Sequence, residues 1–329
     1  MVRLPHLLPS LEELSIKSCP ELVLPLLDGS QEQQPCPPLN SLEKLAICAS
    51  CEKQRFLPGE GMIMTSLEEL EIIKCGNLES LCSEGLQNLT SLYIDECPKV
   101  WSSPVWLRNL TSLKKLDVVV LDGTTSWTNP LENLKSLEHL SISSGPDMMD
   151  VWVSFLPPTT DFPESLGNLA SLTDLRIRDC PSIRSLPESL GNLASLTDLR
   201  IRDCPSIRSL PESLGNLASL TDLRIRDCPV VTELPKGLQR LTNLRRLSIR
   251  ECAVLERQLC KNWKEWKKVA HVPGIFIDNR SLSWEAEDPS LMQSLKKGCN
   301  KFDKKLKLHF PTCASSSSPS SSNRVRPIE

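Results

Sequence analysis

The sequence predicts an α/β solenoid, a horseshoe with a concave parallel β-sheet and an irregular or short-helical convex side. The first observation is a tandem repeat: residues 163–186 and 187–210 share one 24-residue sequence, and residues 211–229 repeat its first 19 residues. The second is an apolar skeleton that recurs in each copy. A repeat of this length indicates stacked coils, because one coil cannot bury its own leucines.

Each copy of the repeat contains a strand and a short helical segment. The strand skeleton reads L-x-x-L-x-I-x-x-C and consists, in the first copy, of Leu172, Leu175, Ile177 and Cys180. Apolar and polar residues alternate along it, which predicts a short strand with one buried face. Pro187 suits the start of a helical turn, and Gly191 is predicted to end that turn.

The same skeleton recurs along most of the chain and defines its domains. Residues 1–253 are predicted to form about ten coils. Residues 254–280 combine a helical period with an extended segment, which predicts a cap over the last coil, with a membrane-contacting helix as the alternative. Residues 281–329 form a basic and serine-rich tail that is predicted to be largely disordered. The first leucine of the skeleton falls at Leu11, Leu42, Leu67, Leu89, Leu113, Leu137, Leu172, Leu196, Leu220 and Leu244.

The composition narrows the class of protein. The net charge of −3 and the single tyrosine give no general affinity for nucleic acid. The sequence has no basic-apolar leader and no stretch of about 18 apolar residues. We therefore expect a cytoplasmic protein without a membrane span, whose partners are proteins rather than nucleic acids.

The cysteines follow the repeat. Cytoplasmic thiols stay reduced, and the last skeleton position faces the core, so we predict a ladder of buried free thiols rather than disulfides. Cys48 and Cys51 form a lone C-x-x-C pair with no second pair and no nearby histidine, so no metal site is predicted. The cysteines at the last skeleton position are Cys19, Cys75, Cys97, Cys180, Cys204, Cys228 and Cys252.

A charged stripe is predicted on the concave face. Residues two apart in a strand share a face, so the repeats place one aspartate column beside two arginine columns. Arginine pairs well with carboxylates and phosphates, which favours docking of an acidic protein partner. The alternative is that duplication copied one ordinary solvated surface. The predicted binding residues are Asp174, Arg176, Arg178, Asp198, Arg200, Arg202, Asp222, Arg224, Arg226 and Arg250.

Other regions offer weaker signals for partners. Glu69, Glu71 and Asp95 make the earlier part of the concave face more acidic. Insertions at residues 28–38 and 143–163 are surface loops that could contact partners. The tryptophans of the loops are expected to pack in the core rather than to anchor a partner, and they are Trp101, Trp106 and Trp127.

No arrangement of residues predicts catalysis. Only one of the four histidines, His139, is predicted to point out of the sheet. No serine or cysteine accompanies it in a recognisable nucleophile setting, and the carboxylates are scattered by the repeat. We therefore predict no catalytic, metal-binding or cofactor-binding residues.

Two segments carry a resemblance to a known family. The coil L-x-x-L-x-I-x-x-C-P, together with L-P-E-S-L-G-N-L, resembles the leucine-rich repeats of plant intracellular immune receptors of the nucleotide-binding type. The segment 265–275, which reads EWKKVAHVPGI, resembles the Trp-x-Lys-Ile-x-His-Ile-Pro-x-Ile type of ending in that family. The resemblance covers residues 1–278 and implies a leucine-rich-repeat solenoid.

The resemblance also implies a function. In that family the repeats sense pathogen effectors, directly or through a guarded host protein, and restrain a nucleotide switch. A non-enzymatic binding module of plant disease resistance and innate immunity is therefore expected, with an upstream nucleotide-binding domain as a further partner. This chain has no G-x-x-x-x-G-K-[ST] phosphate loop, so the switch itself is absent from it. The alternatives are a free-standing scaffold that assembles signalling proteins and an extracellular receptor ectodomain.

Overall fold

The computed structural model describes most of the repeat region. The described residues are 10–19, 41–50, 55–57, 64–82, 85–101, 103–120, 131–144, 162, 164–277 and 280–283. The loop at residues 28–38, Trp127, Cys51 and nearly all of the tail predicted at 281–329 lie outside them. The insertion predicted at 143–163 also falls largely outside them.

The described residues contain fourteen strands, three α-helices and five short 3₁₀ helices. The helices are α1 (Pro98–Trp101), α2 (Ala253–Lys261) and α3 (Trp263–Lys267). The strands are β1 (Glu13–Lys17), β2 (Lys44–Cys48), β3 (Phe56–Leu57), β4 (Glu69–Ile73), β5 (Ser80–Leu81), β6 (Ser91–Asp95), β7 (Lys115–Val120), β8 (His139–Ser144), β9 (Asp174–Arg178), β10 (Asp198–Arg202), β11 (Asp222–Arg226), β12 (Arg246–Arg250), β13 (Gly274–Ile277) and β14 (Arg280–Ser283).

One twelve-stranded sheet runs through the coils and confirms the predicted solenoid. Its order is β1-β2-β4-β6-β7-β8-β9-β10-β11-β12-β13-β14, so successive coils are neighbours. All pairs are parallel except β13 with β14, which is antiparallel. Parallel pairing follows from the repeat, because in each coil the chain returns over the convex side before it forms the next strand. The short strands β3 and β5 form a separate parallel pair.

The core is a stack of aliphatic layers, one for each coil. The first skeleton leucine of each coil from Leu42 to Leu244 is at most 1% exposed, whereas Leu11 in the first coil is only partly buried. Burial of each such side chain contributes about 1.5–3 kcal/mol before the loss of conformational entropy is subtracted. The stability of the fold therefore depends on contacts between coils.

Short 3₁₀ helices form the convex side of the later coils. They span Glu164–Asn168, Glu188–Asn192, Glu212–Asn216 and Lys236–Arg240. The predicted role of Gly191 was wrong, since Gly191 lies inside its helix and not at the end. A Cβ atom at Gly191 would meet the Ser213 carbonyl oxygen at 2.5 Å. The glycine is needed because the helices of neighbouring coils approach closely.

A left-handed residue ends most of the strands. Ser18, Ala49, Lys74, Asp179 and their equivalents have φ near +50°. This bend turns the backbone N–H towards the following coil, so Asp179 N donates to the Arg202 carbonyl at 3.0 Å and Ala49 N donates to the Ile73 carbonyl at 2.9 Å. The residue that ends a strand therefore also links two coils.

A cysteine follows the left-handed residue at most of these strand ends. Cys19 is exposed in the first described coil, whereas the others are buried, as predicted, and form no disulfide among the described residues; they are Cys75, Cys97, Cys180, Cys204, Cys228 and Cys252. The Cys180 thiol donates to the Arg178 carbonyl at 2.9 Å. A hydrogen bond with the neighbouring Cys204 thiol, together with burial, raises the pKa of Cys228 to about 12. These thiols therefore serve as small buried donors and are poor nucleophiles.

The last coil is covered by α2, α3 and β13. Strand β13 pairs with β12 and buries alternate residues, as the strands of the coils do. The Glu265 carboxylate accepts a hydrogen bond from Leu234 N at 3.1 Å, and Lys268 Nζ donates to the Leu234 carbonyl and to Glu265 Oε1 at 2.6 Å. Both side chains are nearly fully buried. This ion pair satisfies the backbone groups of Leu234.

Two of the three loop tryptophans pack in the core, in agreement with the favoured interpretation. Trp101 and Trp106 are 1% and 5% exposed, and their ring centroids are 5.7 Å apart. The Trp106 indole N–H donates to the Val100 carbonyl at 3.2 Å. Neither ring is therefore available as an anchor for a partner.

Candidate protein-binding face

The charged residues of the repeats line up across the concave sheet. Parallel pairing in register places the aspartates of β9, β10 and β11 in one column and their first arginines in the next. The second arginines form a third column that ends at Arg250 of β12. The structure thus brings all ten predicted residues together on one face.

The first arginine column is paired within its own strands. Arg176 donates to both carboxylate oxygens of Asp174, at 3.1 and 2.7 Å. Arg224 makes the same two-pronged contact with Asp222, at 2.9 and 2.8 Å. Arg200 donates to Asp198 at 3.2 Å. The carboxylates of the strand therefore neutralise much of the positive charge of this column.

A second acidic column, missed in the sequence analysis, borders the stripe. It consists of the left-handed residues Asp179, Asp203, Asp227 and Glu251. Arg202 Nε contacts Asp203 at 2.6 Å, and Arg226 contacts Asp227 at 3.0 Å and Glu251 at 3.2 Å. Each D-L-R-I-R-D copy therefore carries two acids and two arginines. The signal was present in the sequence, but the bend after the strand is needed to place the last aspartate beside the arginines.

The two ends of the second arginine column differ from its middle. Arg178 donates to the Ser141 hydroxyl at 3.3 Å and forms no salt bridge with the described residues. Arg250 likewise forms no salt bridge within the described part of the chain, and its Nε is buried without a hydrogen-bond partner there. Three strand spacings, or about 14 Å, separate these two arginines. They are the positions of the stripe most open to a carboxylate from outside.

The earlier coils present a different surface. Glu71 of β4, Tyr93 of β6 and Asp117 of β7 occupy the column that continues into Arg176. The Tyr93 hydroxyl donates to Asp95 at 3.2 Å. Burial, reinforced by the nearby carboxylates, raises the pKa of Tyr93 to about 12. The sheet face therefore changes from acidic to charge-balanced along the solenoid.

His139 lies at the boundary between these two surfaces. Its Nε2 is 3.1 Å from Asp117 Oδ1, and its Nδ1 is 3.5 Å from Asp174 Oδ2. Hydrogen bonds with Asp117 and Asp174 raise the pKa of His139 above its ordinary value, although burial opposes them. The prediction that His139 points out of the sheet is confirmed, and the structure adds its two carboxylate partners.

A groove of about 510 Å³ runs along one edge of the later coils. Its lining includes Leu186, Leu210 and Leu234, each followed by a proline and bordered by glutamates. These leucines are at most 5% exposed. The glutamates hold the coils together: Glu188 accepts from Glu212 N at 3.3 Å and from Ser213 N at 3.0 Å. The groove is thus a product of the coil-to-coil contacts.

Within the described ranges, no group of three or more His, Cys, Asp or Glu side chains could hold a metal ion. Of the helices that the structure describes, none has the length and apolar character that crossing a membrane requires.

One family model and several solved structures are similar to this chain. A model of a leucine-rich repeat region matches residues 156–318, which extends past the end predicted for the cap. A leucine-rich-repeat protein of Leptospira interrogans is 20% identical, with 73% of this chain and 67% of that chain covered and a TM-score of 0.43. The leucine-rich repeat domain of the type III effector XopL is 22% identical, with coverage of 81% and 76% and a TM-score of 0.44. An internalin of Listeria monocytogenes is 16% identical, with coverage of 82% for both chains and a TM-score of 0.42.

Sheet, repeat and family model define the class together. The described coils form a leucine-rich-repeat solenoid: residues 156–318 match the family model, and the coils ahead of them continue the same sheet. Leucine-rich repeats of this kind are scaffolds for protein–protein interaction.

Proposed function

We propose that this chain is a non-enzymatic protein-binding module that docks an acidic segment of a partner on its concave stripe. The observation that carries this proposal is that Arg178 and Arg250 form no salt bridge within the described residues. An arginine without a carboxylate partner gains the most from a charged hydrogen bond with an incoming carboxylate. The paired arginines that lie between Arg178 and Arg250 position the partner segment and offer it further N–H donors.

The biological setting that we propose is plant disease resistance. The closing segment 265–275 supports it, since it resembles the ending of the intracellular immune receptors. In this setting the solenoid senses an effector or a guarded host protein in the cytoplasm and restrains a nucleotide switch carried outside this sequence. The free-standing scaffold is the competing function, and it would use the same face.

Charge reversal at the two ends of the stripe tests the docking surface. The double variant Arg178→Glu/Arg250→Glu is expected to weaken binding of a partner roughly tenfold or more, because two charged contacts become repulsive. The matched control is Arg240→Glu, an exposed arginine on the convex 3₁₀ helix. Partners are captured from plant extract with each variant, and the affinity is then measured with the purified partner.

Equal capture by the double variant and the control contradicts docking at the stripe. The immune-receptor setting has its own test, the size of the endogenous protein detected with an antibody against the tail. A species much larger than 36.8 kDa that contains a phosphate-loop peptide supports a receptor. A species near that mass supports the scaffold.

A further inference from the structure

His139 occupies a central position on the concave face. Strand β8 lies between β7 and β9, so its side chain stands between the acidic coils and the arginine-bearing coils. The ring contacts a carboxylate on each side, Asp117 from β7 and Asp174 from β9. Only 17% of the His139 side chain is exposed. The two contacts are therefore partly shielded from solvent.

The geometry favours one protonation state of His139. A carboxylate only accepts hydrogen bonds, and a neutral imidazole has only one N–H to donate. Both ring nitrogens face carboxylate oxygens, so both contacts can be hydrogen bonds only when the ring is a doubly protonated imidazolium. The raised pKa of His139 agrees with this reasoning.

The charges around the ring form an alternating chain across three strands. Strand β7 contributes Lys115, whose Nζ is 3.1 Å from Asp117, and strand β9 contributes Arg176, which grips Asp174. Although burial favours the neutral acid, hydrogen bonds from His139 and Arg176 lower the pKa of Asp174. With His139 charged, the five groups carry a net charge of about +1, and with His139 neutral they carry about zero.

We propose that His139 is a proton-sensitive strut that sets the charge of the stripe and thereby the strength with which it binds an acidic segment. Protonated His139 holds Asp117 and Asp174 together and leaves these five groups with a net charge of about +1. Loss of the proton removes the hydrogen bond of His139 to one of the two carboxylates and lowers the net charge to about zero, next to the site where the partner carboxylate would bind. Binding weakens as the pH rises through the pKa of His139. The binding arm of this inference rests on the proposed function; the protonation state of His139 does not.

The first experiment follows the ring signals of the full-length chain by NMR as a function of pH, with the His139 signal assigned from its loss in His139→Gln. The expected midpoint lies above 6.5, the ordinary value for histidine. Asp117→Asn and Asp174→Asn should each lower it. The matched control is Asp198→Asn, which changes the same column one strand further on and should leave the midpoint in place. A His139 midpoint at or below the ordinary value overturns the proposal that protonated His139 links Asp117 and Asp174.

The same chain also permits a stability measurement. A histidine whose folded-state pKa is raised contributes stability that is present below its unfolded pKa and is lost as the pH rises through the folded pKa. The urea midpoint of the wild type should therefore fall across this window relative to that of His139→Gln. Parallel pH profiles for the two proteins would contradict the proposal.

The second experiment measures binding of a synthetic oligo-glutamate peptide below and above the observed midpoint of His139. Wild type should bind the peptide more weakly above the midpoint, whereas His139→Gln should bind it equally at the two pH values. The matched control is His271→Gln, which should keep the pH dependence of the wild type, because His271 contacts the Leu241 carbonyl instead of a carboxylate. The same pH dependence in His139→Gln overturns the link to binding. Absence of peptide binding at every pH, with the expected NMR midpoint, refutes acidic docking at the stripe and leaves the protonated strut established.

Discussion

The polar contact that joins two interior coils differs from the one that joins the last coil to the cap. Between interior coils, the Glu212 carboxylate accepts hydrogen bonds from Lys236 N and Gly237 N of the next 3₁₀ helix, each at 3.2 Å. At the last coil the cap instead inserts the Glu265–Lys268 ion pair against the backbone of Leu234. The interior contact is solvated and repeated, whereas the cap contact is buried and occurs once. In this molecule a buried charged pair therefore takes the place, at the last coil, of the exposed carboxylate that joins interior coils.

Removing one partner of the buried pair should have the largest effect. Lys268→Met leaves the Glu265 carboxylate buried without its cationic partner and the Leu234 carbonyl without its Lys268 donor. We therefore expect a loss of about 3 kcal/mol in the free energy of unfolding. Urea unfolding measures the loss, and hydrogen exchange shows whether it is concentrated in β12 and β13. Lys264→Met, on the exposed side of α3, is the control and should change stability little.

The double variant Glu265→Leu/Lys268→Met sharpens the comparison. It removes the unpaired charge and should therefore lose less than Lys268→Met alone. It should not regain wild-type stability, because the N–H and C=O groups of Leu234 remain unsatisfied, at about 1–3 kcal/mol each. Wild-type stability of the double variant would mean that the Glu265–Lys268 pair is not needed to satisfy the backbone groups of Leu234.

Crowding an interior contact should have the next largest effect. In Gly191→Ala the new methyl group would meet Ser213, and separation of the two coils should cost about 1–3 kcal/mol. Gly76→Ala is the control, since nothing lies within 4 Å of its Cβ position. Equal stabilities of the two variants would show that the convex helices can move apart freely.

Weakening one interior carboxylate should have a smaller effect. Glu188→Gln reduces the charge that accepts from Glu212 N and Ser213 N, and we expect a loss of about 1 kcal/mol. Backbone hydrogen bonds lower the pKa of Glu188, so its contribution is present above the unfolded value of about 4.5 and is lost as the pH falls below it. Unfolding at neutral and acidic pH should therefore show a smaller pH dependence for the variant than for the wild type.

Relieving the backbone after a strand should give the smallest change. Ala49 has φ of 49°, a conformation that costs a residue with a Cβ about 1–2 kcal/mol. Ala49→Gly removes that cost but increases the entropy of the unfolded chain by about 0.5–1 kcal/mol, so a small stabilisation is expected. Thermal unfolding checks it, and a clear destabilisation would contradict the account of the bend.

The repeat made the fold predictable, because the leucine spacing alone fixes the strand, its buried face and its register. The sheet therefore placed Asp174 beside Asp198 and Asp222 as expected. Features that depend on the bend or on contacts between coils were not visible. The position of Asp179 and its equivalents arises from the bend after each strand, whereas stacking of the coils brings the carboxylates to His139 and the Leu234 N–H to Glu265.

Identical coils also make the length of the solenoid adjustable. Gly167 faces Ser189 as Gly191 faces Ser213, and Glu164 contacts Ser189 N as Glu188 contacts Ser213 N. Removal or insertion of one 24-residue unit would bring the same two surfaces together again. The array can therefore gain or lose one strand width, about 4.8 Å, without any new interface being invented. In this part of the molecule, the width of the concave face can therefore change in steps of one repeat unit while the contacts between coils stay the same.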